Sequence, residues 1–246
     1  MLELVDTHAH LEGFVDKALM VSNAKAAGVG TVVAVSTNME TCWKTLKLAE
    51  EYSSFIYPAL GIHPQEVGKN IEPAFSFIEE HLSECVAIGE VGLDYWSEVD
   101  KELQHEIFSR LLECALSKDL PVSIHSRGAW EECFQTVKDK GVHKAVFHWF
   151  SGSLETLKRV LAAGYLVSAT PALEYSRAHK AAIKEAPLEA LMLETDSPVR
   201  YHGKVSEPAD VVKTLRFVAE LKGLSEEEVA SKTTENAKNF FNMRIP

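Results

Sequence analysis

Six residues of the types that bind divalent metal ions each stand at the end of a short apolar run. Imidazole and carboxylate groups are ligands that hard and borderline divalent cations take in proteins. The candidates, with the run that each follows, are His8 and His10 (4–6), Glu90 (86–89), His125 (122–124), His148 (145–147) and Asp196 (191–193). If these runs are parallel strands of one barrel, the six side chains meet at one mouth. The sequence therefore predicts a metal-dependent enzyme.

His8 and His10 form an H-x-H pair. In a strand, residues i and i+2 point to the same side, so both imidazoles can reach one cation. A single pair of this kind is more often incidental than functional. Histidine or carboxylate at the ends of four further apolar runs favours the functional interpretation.

The number of candidate ligands predicts two metal ions. One tetrahedral catalytic zinc takes three protein ligands and a water molecule, and six candidates exceed that need. We expect His8, His10 and Asp196 to hold one ion and the other two histidines to hold the second. Glu90 is placed to bridge the two ions. Mixed histidine and carboxylate ligands admit magnesium, manganese or zinc.

Glu90 and Asp196 are the candidate catalytic carboxylates. Water that is shared between two cations loses its proton near neutral pH and becomes a nucleophile. Asp196 can accept that proton, or orient the resulting hydroxide, as a general base. Asp196 also has an alternative role as the N-cap of a helix, because Ser197 and Pro198 follow it.

Three further polar residues are candidate substrate contacts. His63 follows the run 56–60, and it could contact a substrate oxygen. Arg127 lies two residues beyond His125, where its guanidinium can pair with a phosphate through two hydrogen bonds. Lys204 follows Gly203 and is a flexible cation in the segment after Asp196. Each of the three could instead be an ordinary surface or ion-pair residue.

Three residues near the candidate ligands have two interpretations each. Asp94 could orient a metal ligand or cap a helix. Trp96 and Trp149 could stack on nucleobases or only pack against the protein, because a single aromatic residue does not decide between these roles.

Strand-like and helix-like segments alternate along the chain. Three apolar runs join the five above to give eight strands, at 31–35, 56–60 and 165–169. Amphipathic helical segments lie between the strands, at 16–27, 39–52, 72–82, 101–118, 129–140, 153–163 and 176–185. A final amphipathic helix is predicted at 208–222, and two shorter helices, at 225–232 and 234–241, are predicted to close the barrel floor or the outer ring.

Eight alternating strands and helices fit either a closed (β/α)8 barrel or an open doubly wound sheet. A doubly wound sheet gathers its site from a few strands at one switch point. Here the candidates follow six different strands at the same end, and only a closed ring brings those ends together. We therefore predict a (β/α)8 TIM barrel that forms one domain over residues 1–246.

The bulk properties exclude some classes of protein. The net charge of −11 argues against a protein that coats nucleic acid, so any DNA substrate is expected to be weakly held. Four widely spaced cysteines form no C-x-x-C pair, which favours reduced thiols. No apolar stretch approaches the roughly 20 residues that span a bilayer, and the first strand begins too early for a signal peptide. We expect a cytoplasmic monomer that does not enter a membrane.

Seven stretches of the sequence together resemble one known family. They are VDTHAHL, GIHP, IGEVGLDY, PVSIHSR, FHWFSG, ETDSP and GKVSEP, and they occur in this order over nearly the whole chain. This combination is similar to the TatD-type metal-dependent deoxyribonuclease family, within the amidohydrolase-like barrel superfamily. The resemblance implies a (β/α)8 barrel, two divalent cations and phosphodiester hydrolysis of DNA, often as an exonuclease. It also implies the same six metal ligands.

Two short segments leave the identity of the substrate undecided. The segment 170–185 carries TPALEYS where the resemblance leads us to expect a longer, more polar loop, and the segment 196–203 is also compact. Loops of this kind determine substrate binding on barrels. The alternative to a nuclease is therefore a metal-dependent hydrolase of a small-molecule or aminoacyl ester, amide or lactone, and a non-catalytic metal-binding barrel is a third. Many superfamily relatives carry a modified lysine at the end of strand 4, so Glu90 at that position favours the nuclease.

Overall fold

Eight parallel strands form one sheet, in which each strand pairs with the next along the chain. The structure, a computed structural model, describes residues 3–68 and 71–243. The strands are β1 Leu4–Ala9, β2 Val29–Val35, β3 Ile56–Leu60, β4 Ala87–Gly92, β5 Val122–His125, β6 Ala145–Phe147, β7 Leu166–Ala169 and β8 Leu191–Leu193. A parallel bridge between Ala9 and Ser197 joins the end of β1 to the segment after β8. The predicted (β/α)8 barrel is confirmed.

One helix follows each of the first seven strands, close to the predicted positions. These helices are α1 Lys17–Ala26, α2 Met39–Glu51, α3 Glu72–His81, α4 Lys101–Ser117, α5 Trp130–Asp139, α6 Leu154–Ala162 and α7 Arg177–Glu185. Two further helices, α8 Val211–Lys222 and α9 Glu226–Phe240, complete the described chain. Strands and helices that alternate in this way place all strand carboxyl ends at one mouth of the barrel.

Helix α9 is a single helix, so the prediction of two helices at 225–232 and 234–241 is wrong. Ser225 and Glu228 form a capping box that begins the helix. Thr233 and Thr234, which lie at the predicted break, are buried, and their hydroxyls have acceptors within reach. Thr233 donates to the Val229 carbonyl at 2.8 Å, and Thr234 donates to the Glu3 carbonyl at 2.8 Å. The helix therefore continues through both residues.

The segment after β8 contains a hairpin where the sequence suggests only a polar loop. Its strands are β9 Arg200–Tyr201 and β10 Lys204–Val205, which pair antiparallel. His202 and Gly203 form the turn with φ values of 49° and 78°. A two-residue turn with positive φ at both positions matches the twist of paired strands. Strands of two residues are too short to leave a pattern in the sequence.

The end of α9 closes the floor of the barrel. Phe240 and Phe241 belong to a buried cluster with Val5, Val33 and Met192, from β1, β2 and β8. The Thr234 hydroxyl of α9 donates to the carbonyl of Glu3, directly before β1, which places this helix at the amino-terminal end of the strands. Within the described residues, no helix combines the length and the apolar character that are needed to cross a membrane.

Candidate metal centre

Glu90 lies at the centre of a cluster of four histidines at the barrel mouth. Its Oε2 is 3.4 Å from His8 Nε2 and 3.3 Å from His10 Nε2. Its Oε1 is 2.6 Å from His125 Nδ1 and 2.8 Å from His148 Nε2. The two oxygens of one buried carboxylate therefore face two different pairs of imidazoles. A carboxylate that bridges two cations has this arrangement.

Asp196 completes the cluster on the side of His8 and His10. Its Oδ1 is 3.7 Å from His8 Nε2 and 3.5 Å from His10 Nε2. The Asp196 backbone N–H donates to the His8 carbonyl at 3.0 Å, which fixes the segment after β8 beside β1. The chain then continues through Ser197 into β9 and not into a helix, so the alternative role of Asp196 as a helix cap is wrong.

Four overlapping sets of three donor residues could each hold an ion, and two of these sets are His8 with His148 and Glu194, and His63 with Asp94 and His125. Within each set the donor atoms all lie within 4.8 Å of one another. The other two sets are the first donor group, His8, His10 and Asp196, and the second donor group, Glu90, His125 and His148. These two donor groups contain the residues that the sequence predicts for each ion, and their occupation by two ions stays a prediction.

The Nε2 atom of His8 indicates that the cluster fits a metal. This atom is buried and has no hydrogen-bond partner among the described residues. Buried polar atoms are almost always paired, so an unpaired one requires an explanation such as a bound ion. The other ring nitrogen, Nδ1, lies 3.1 Å from Ser123 Oγ, which holds the ring with Nε2 directed at the carboxylates. A cation at this position would satisfy the unpaired nitrogen.

Two buried carboxylates orient the histidines of the second donor group. His125 Nε2 lies 3.4 Å from Asp94 Oδ2, and His148 Nδ1 lies 3.4 Å from Glu194 Oε1. Metal-binding histidines usually place their second nitrogen beside a carboxylate, which fixes the tautomer and the ring orientation. Asp94 therefore lies where it can orient a ligand, one of its two interpretations from the sequence.

Glu194 was not singled out from the sequence. Its Oε1 accepts a hydrogen bond from the Trp149 backbone N–H at 2.9 Å, in addition to its contact with His148. Glu194 and Asp196 have the i, i+2 spacing of the H-x-H pair, and this repeat was the signal available. The motif alone does not show which of two neighbouring carboxylates reaches the metal centre and which supports a ligand.

His63 lies beside His125 and Glu90, and its contact with the substrate stays a prediction. Its Nε2 lies 3.3 Å from His125 Nδ1 and 3.7 Å from Glu90 Oε1. Its Nδ1 accepts a hydrogen bond from the Gln65 backbone N–H, which leaves the proton on Nε2. Burial lowers the pKa of His63 to about 3, so the ring is neutral. A neutral imidazole thus directs an N–H into the site.

Arg127 lies beside the second donor group but binds a carboxylate of the protein. Its Nε and Nη2 donate to Asp94 Oδ2 at 3.0 and 2.6 Å. Burial by itself would raise the pKa of Asp94, but hydrogen bonds from His125 and Arg127 hold it below its usual range. The Arg127 side chain is still 44% exposed.

Lys204 lies apart from the cluster. It is exposed on β10 and lines a cavity of about 320 Å³ together with Tyr201, His202 and Glu174. Among the described residues, the structure gives it no hydrogen bond or ion pair to the two donor groups.

Attraction between the carboxylates and imidazoles dominates the electrostatics of the cluster. Burial by itself would lower the pKa of His10, but hydrogen bonds and charge from Asp196 and Glu90 raise it to about 10. Burial would likewise raise the pKa of Glu90, and the surrounding histidines hold it well below its usual range. The negative charge that attracts protons to these imidazoles would also attract divalent cations.

Comparisons with known proteins assign the chain to a family. The family model described as TatD related DNase matches residues 5–242. The uncharacterized metal-dependent hydrolase YabD of Bacillus subtilis is 35% identical over 97% of this chain and 98% of its own length. The human deoxyribonuclease TATDN3 is 33% identical over 97% of this chain and 94% of its own length.

A solved structure agrees with this assignment. The crystal structure of YjjV, a TatD homologue from Escherichia coli, superposes with a TM-score of 0.91 at 29% sequence identity, and covers 98% of both chains. The histidine and carboxylate clusters described above are compatible with metal binding. The chain therefore belongs to the TatD-related DNase family and is a metal-dependent hydrolase.

Proposed function

We propose that the protein is a divalent-metal-dependent phosphodiesterase that hydrolyses DNA from an end, as an exodeoxyribonuclease, at a binuclear centre. The observation that supports a binuclear centre is the position of Glu90, whose two oxygens face separate histidine pairs at 2.6–3.4 Å. In this proposal each donor group would hold one cation, with Glu90 placed between them. The names of the family and of the human relative support DNA as the substrate.

When bound, the two cations would activate a water molecule and neutralise the charge that develops at a scissile phosphate. The protein supplies the proton acceptor. Burial by itself would raise the pKa of Asp196. A hydrogen bond from His10 and the charges of the nearby histidines lower this pKa below its usual value. Asp196 is therefore ionised and can accept a proton from the attacking water as general base.

Three residues are proposed to contact the substrate. His63 directs a neutral N–H into the centre, where it can donate to a phosphate oxygen. Arg127 uses Nε and Nη2 on Asp94, so Nη1 is available to a second phosphate. Lys204 is exposed on the hairpin, so it can contact the DNA strand only at a distance from the cleaved bond.

We also propose that the protein binds DNA weakly and that it works in the cytoplasm. The net charge of −11 stays negative when two divalent cations are bound, so the surface as a whole repels a polyanion. The four cysteines are free and buried, which supports a reducing compartment. The expected monomeric state stays a prediction.

The test is metal-dependent digestion of defined oligonucleotides. Protein stripped with EDTA is given magnesium, manganese or zinc, and strands labelled at the 3′ or the 5′ end are followed over time. We expect a ladder that shortens from one end only. Glu90→Gln should lower the rate more than about 100-fold, the upper end of the effect of losing a supporting partner of a metal ligand. Glu113→Gln, an exposed change on α4, is the matched control.

Three results would contradict parts of the proposal. Hydrolysis of an ester or amide panel without any hydrolysis of DNA would support the alternative enzyme. One metal ion per active chain, measured by elemental analysis, would contradict the binuclear centre. Cleavage inside a circular single strand would contradict an action restricted to ends.

A further inference from the structure

Trp96 is the most exposed aromatic residue that the structure describes. Its side chain is 75% exposed, compared with 48% for Tyr175 and 47% for Trp43. Trp96 lies in the loop that follows β4, at the same mouth of the barrel as Glu90. An exposed aromatic ring beside an enzyme site offers a surface on which a nucleobase can stack.

The indole of Trp96 is held against the loop that follows β5. A Cβ atom on Gly128 would lie 2.7 Å from both Cδ1 and Nε1 of Trp96, so the indole occupies the space of a side chain there. Gly128 has a φ of +74°, which also favours glycine. The Trp96 backbone N–H donates to Asp94 Oδ1 at 3.0 Å. One side of the ring thus packs against Gly128, while most of its surface is exposed to solvent.

Asp94 connects this aromatic surface to the metal centre. The same carboxylate binds the Trp96 backbone, receives two hydrogen bonds from Arg127 and lies 3.4 Å from His125 Nε2. The Arg127 guanidinium lies 5.7 Å from the centroid of the Trp96 ring. One buried group therefore fixes an aromatic face, a cation and a candidate metal ligand relative to one another.

We propose that Trp96 and Arg127 form a subsite that holds one unpaired nucleobase and its phosphate beside the cleaved bond. This inference rests on the proposed function and names single-stranded DNA as its substrate class. Stacking on an aromatic ring accepts every base, because every base has a π-face, and it requires that the base has left its duplex. Arg127 binds the phosphate next to the stacked base.

If a nucleobase stacks on Trp96, this contact should strengthen substrate binding only when the base is present. The test compares Trp96→Ala, Trp96→Phe and the control Trp43→Ala, which removes an exposed indole from α2, on the outside of the barrel. Each variant is mixed with a labelled single strand of DNA and, separately, with an abasic strand of equal length. Binding is measured by fluorescence anisotropy in EDTA, and KM and kcat are measured with metal present.

Trp96→Ala should weaken binding of the natural strand and raise its KM about 5- to 100-fold, with a much smaller effect on the abasic strand. Trp96→Phe keeps a ring and should recover most of the affinity. Trp43→Ala should behave as the wild type. Circular dichroism melting checks that all variants are folded.

The subsite is overturned if Trp96→Ala binds the natural strand as Trp43→Ala does, or if it loses affinity for both strands equally. An inactive wild type would contradict the nuclease proposal separately. In that case anisotropy still decides the subsite, because a base-dependent loss in Trp96→Ala supports it without turnover. Absence of strand binding by the wild type in EDTA overturns the subsite, whereas turnover with metal present decides the nuclease proposal.

Discussion

At the scale of single residues, each candidate ligand depends on a partner that sets its direction. Ser123 Oγ lies 3.1 Å from His8 Nδ1, and the carboxylates of Asp94 and Glu194 lie 3.4 Å from a ring nitrogen of His125 and of His148. A histidine ring can turn, so its ability to bind an ion depends on what its other nitrogen contacts. The supporting residues come from elements distant in sequence from the histidines that they hold.

Glu194→Gln should weaken metal binding about 10- to 100-fold, because His148 loses the carboxylate that orients it. The loss of activity should be recovered at high metal concentration, whereas Glu90→Gln should not recover. Isothermal titration with manganese and a metal titration of the rate measure both effects. Glu189→Gln, an exposed change, is the control. An unchanged manganese affinity in Glu194→Gln would show that the contact with His148 has no such role.

At the scale of elements, the mouth depends on how β1 is joined to the segment after β8. The buried Asp6 carboxylate in β1 accepts hydrogen bonds from the Thr195 N–H at 2.9 Å and from the Thr195 hydroxyl at 2.6 Å. Asp6 precedes His8 by two residues, and Thr195 precedes Asp196 by one. One pair of contacts therefore sets the distance between the two sides of the first donor group.

Thr195→Val should destabilise the fold by about 1–3 kcal/mol, because it leaves a buried carboxylate oxygen without its donor. Thr31→Val is the matched control, since the Thr31 hydroxyl is buried in β2 and has no hydrogen-bond partner among the described residues. That change should be neutral or stabilising. Urea unfolding followed by circular dichroism measures both. Equal destabilisation by the two variants would contradict this account.

The sequence predicts the strands and helices well, because the patterns that indicate them are local. Apolar runs and helical periodicity depend on neighbouring residues, so eight strands and the first eight helices lie close to their predicted positions. The hairpin and the continuous α9 were not predicted. The hairpin has strands of two residues, and the continuity of α9 depends on buried threonines, one of which bonds to Glu3 at the other end of the chain.

At the scale of the whole molecule, the barrel separates stability from chemistry. The floor is apolar and packed by the end of α9, and the mouth carries the candidate ligands. The net charge of −11 is consistent with a site that binds cations first and substrate through a few local groups.

Phe241→Ala should therefore lower stability by about 3–5 kcal/mol through the cavity it leaves in the floor. It should leave the number of bound metal ions unchanged, because the donors lie at the opposite end of the strands. Leu116→Ala, which is 41% exposed on α4, is the control and should cost less than about 1 kcal/mol. Urea unfolding and elemental analysis test this separation. A parallel loss of stability and metal would show that floor and mouth are coupled.

The sequence by itself determined the barrel, the six candidate ligands and the family, because each depends on residue types at the ends of recognisable runs. Only the tertiary structure decided which Glu90 oxygen faces which histidines, that Glu194 supports His148, and that Trp96 lies on Gly128. These are distances between side chains on different strands and loops. Such distances follow from the closing of the ring and the orientation of each side chain, and neither leaves a periodic signal along the chain.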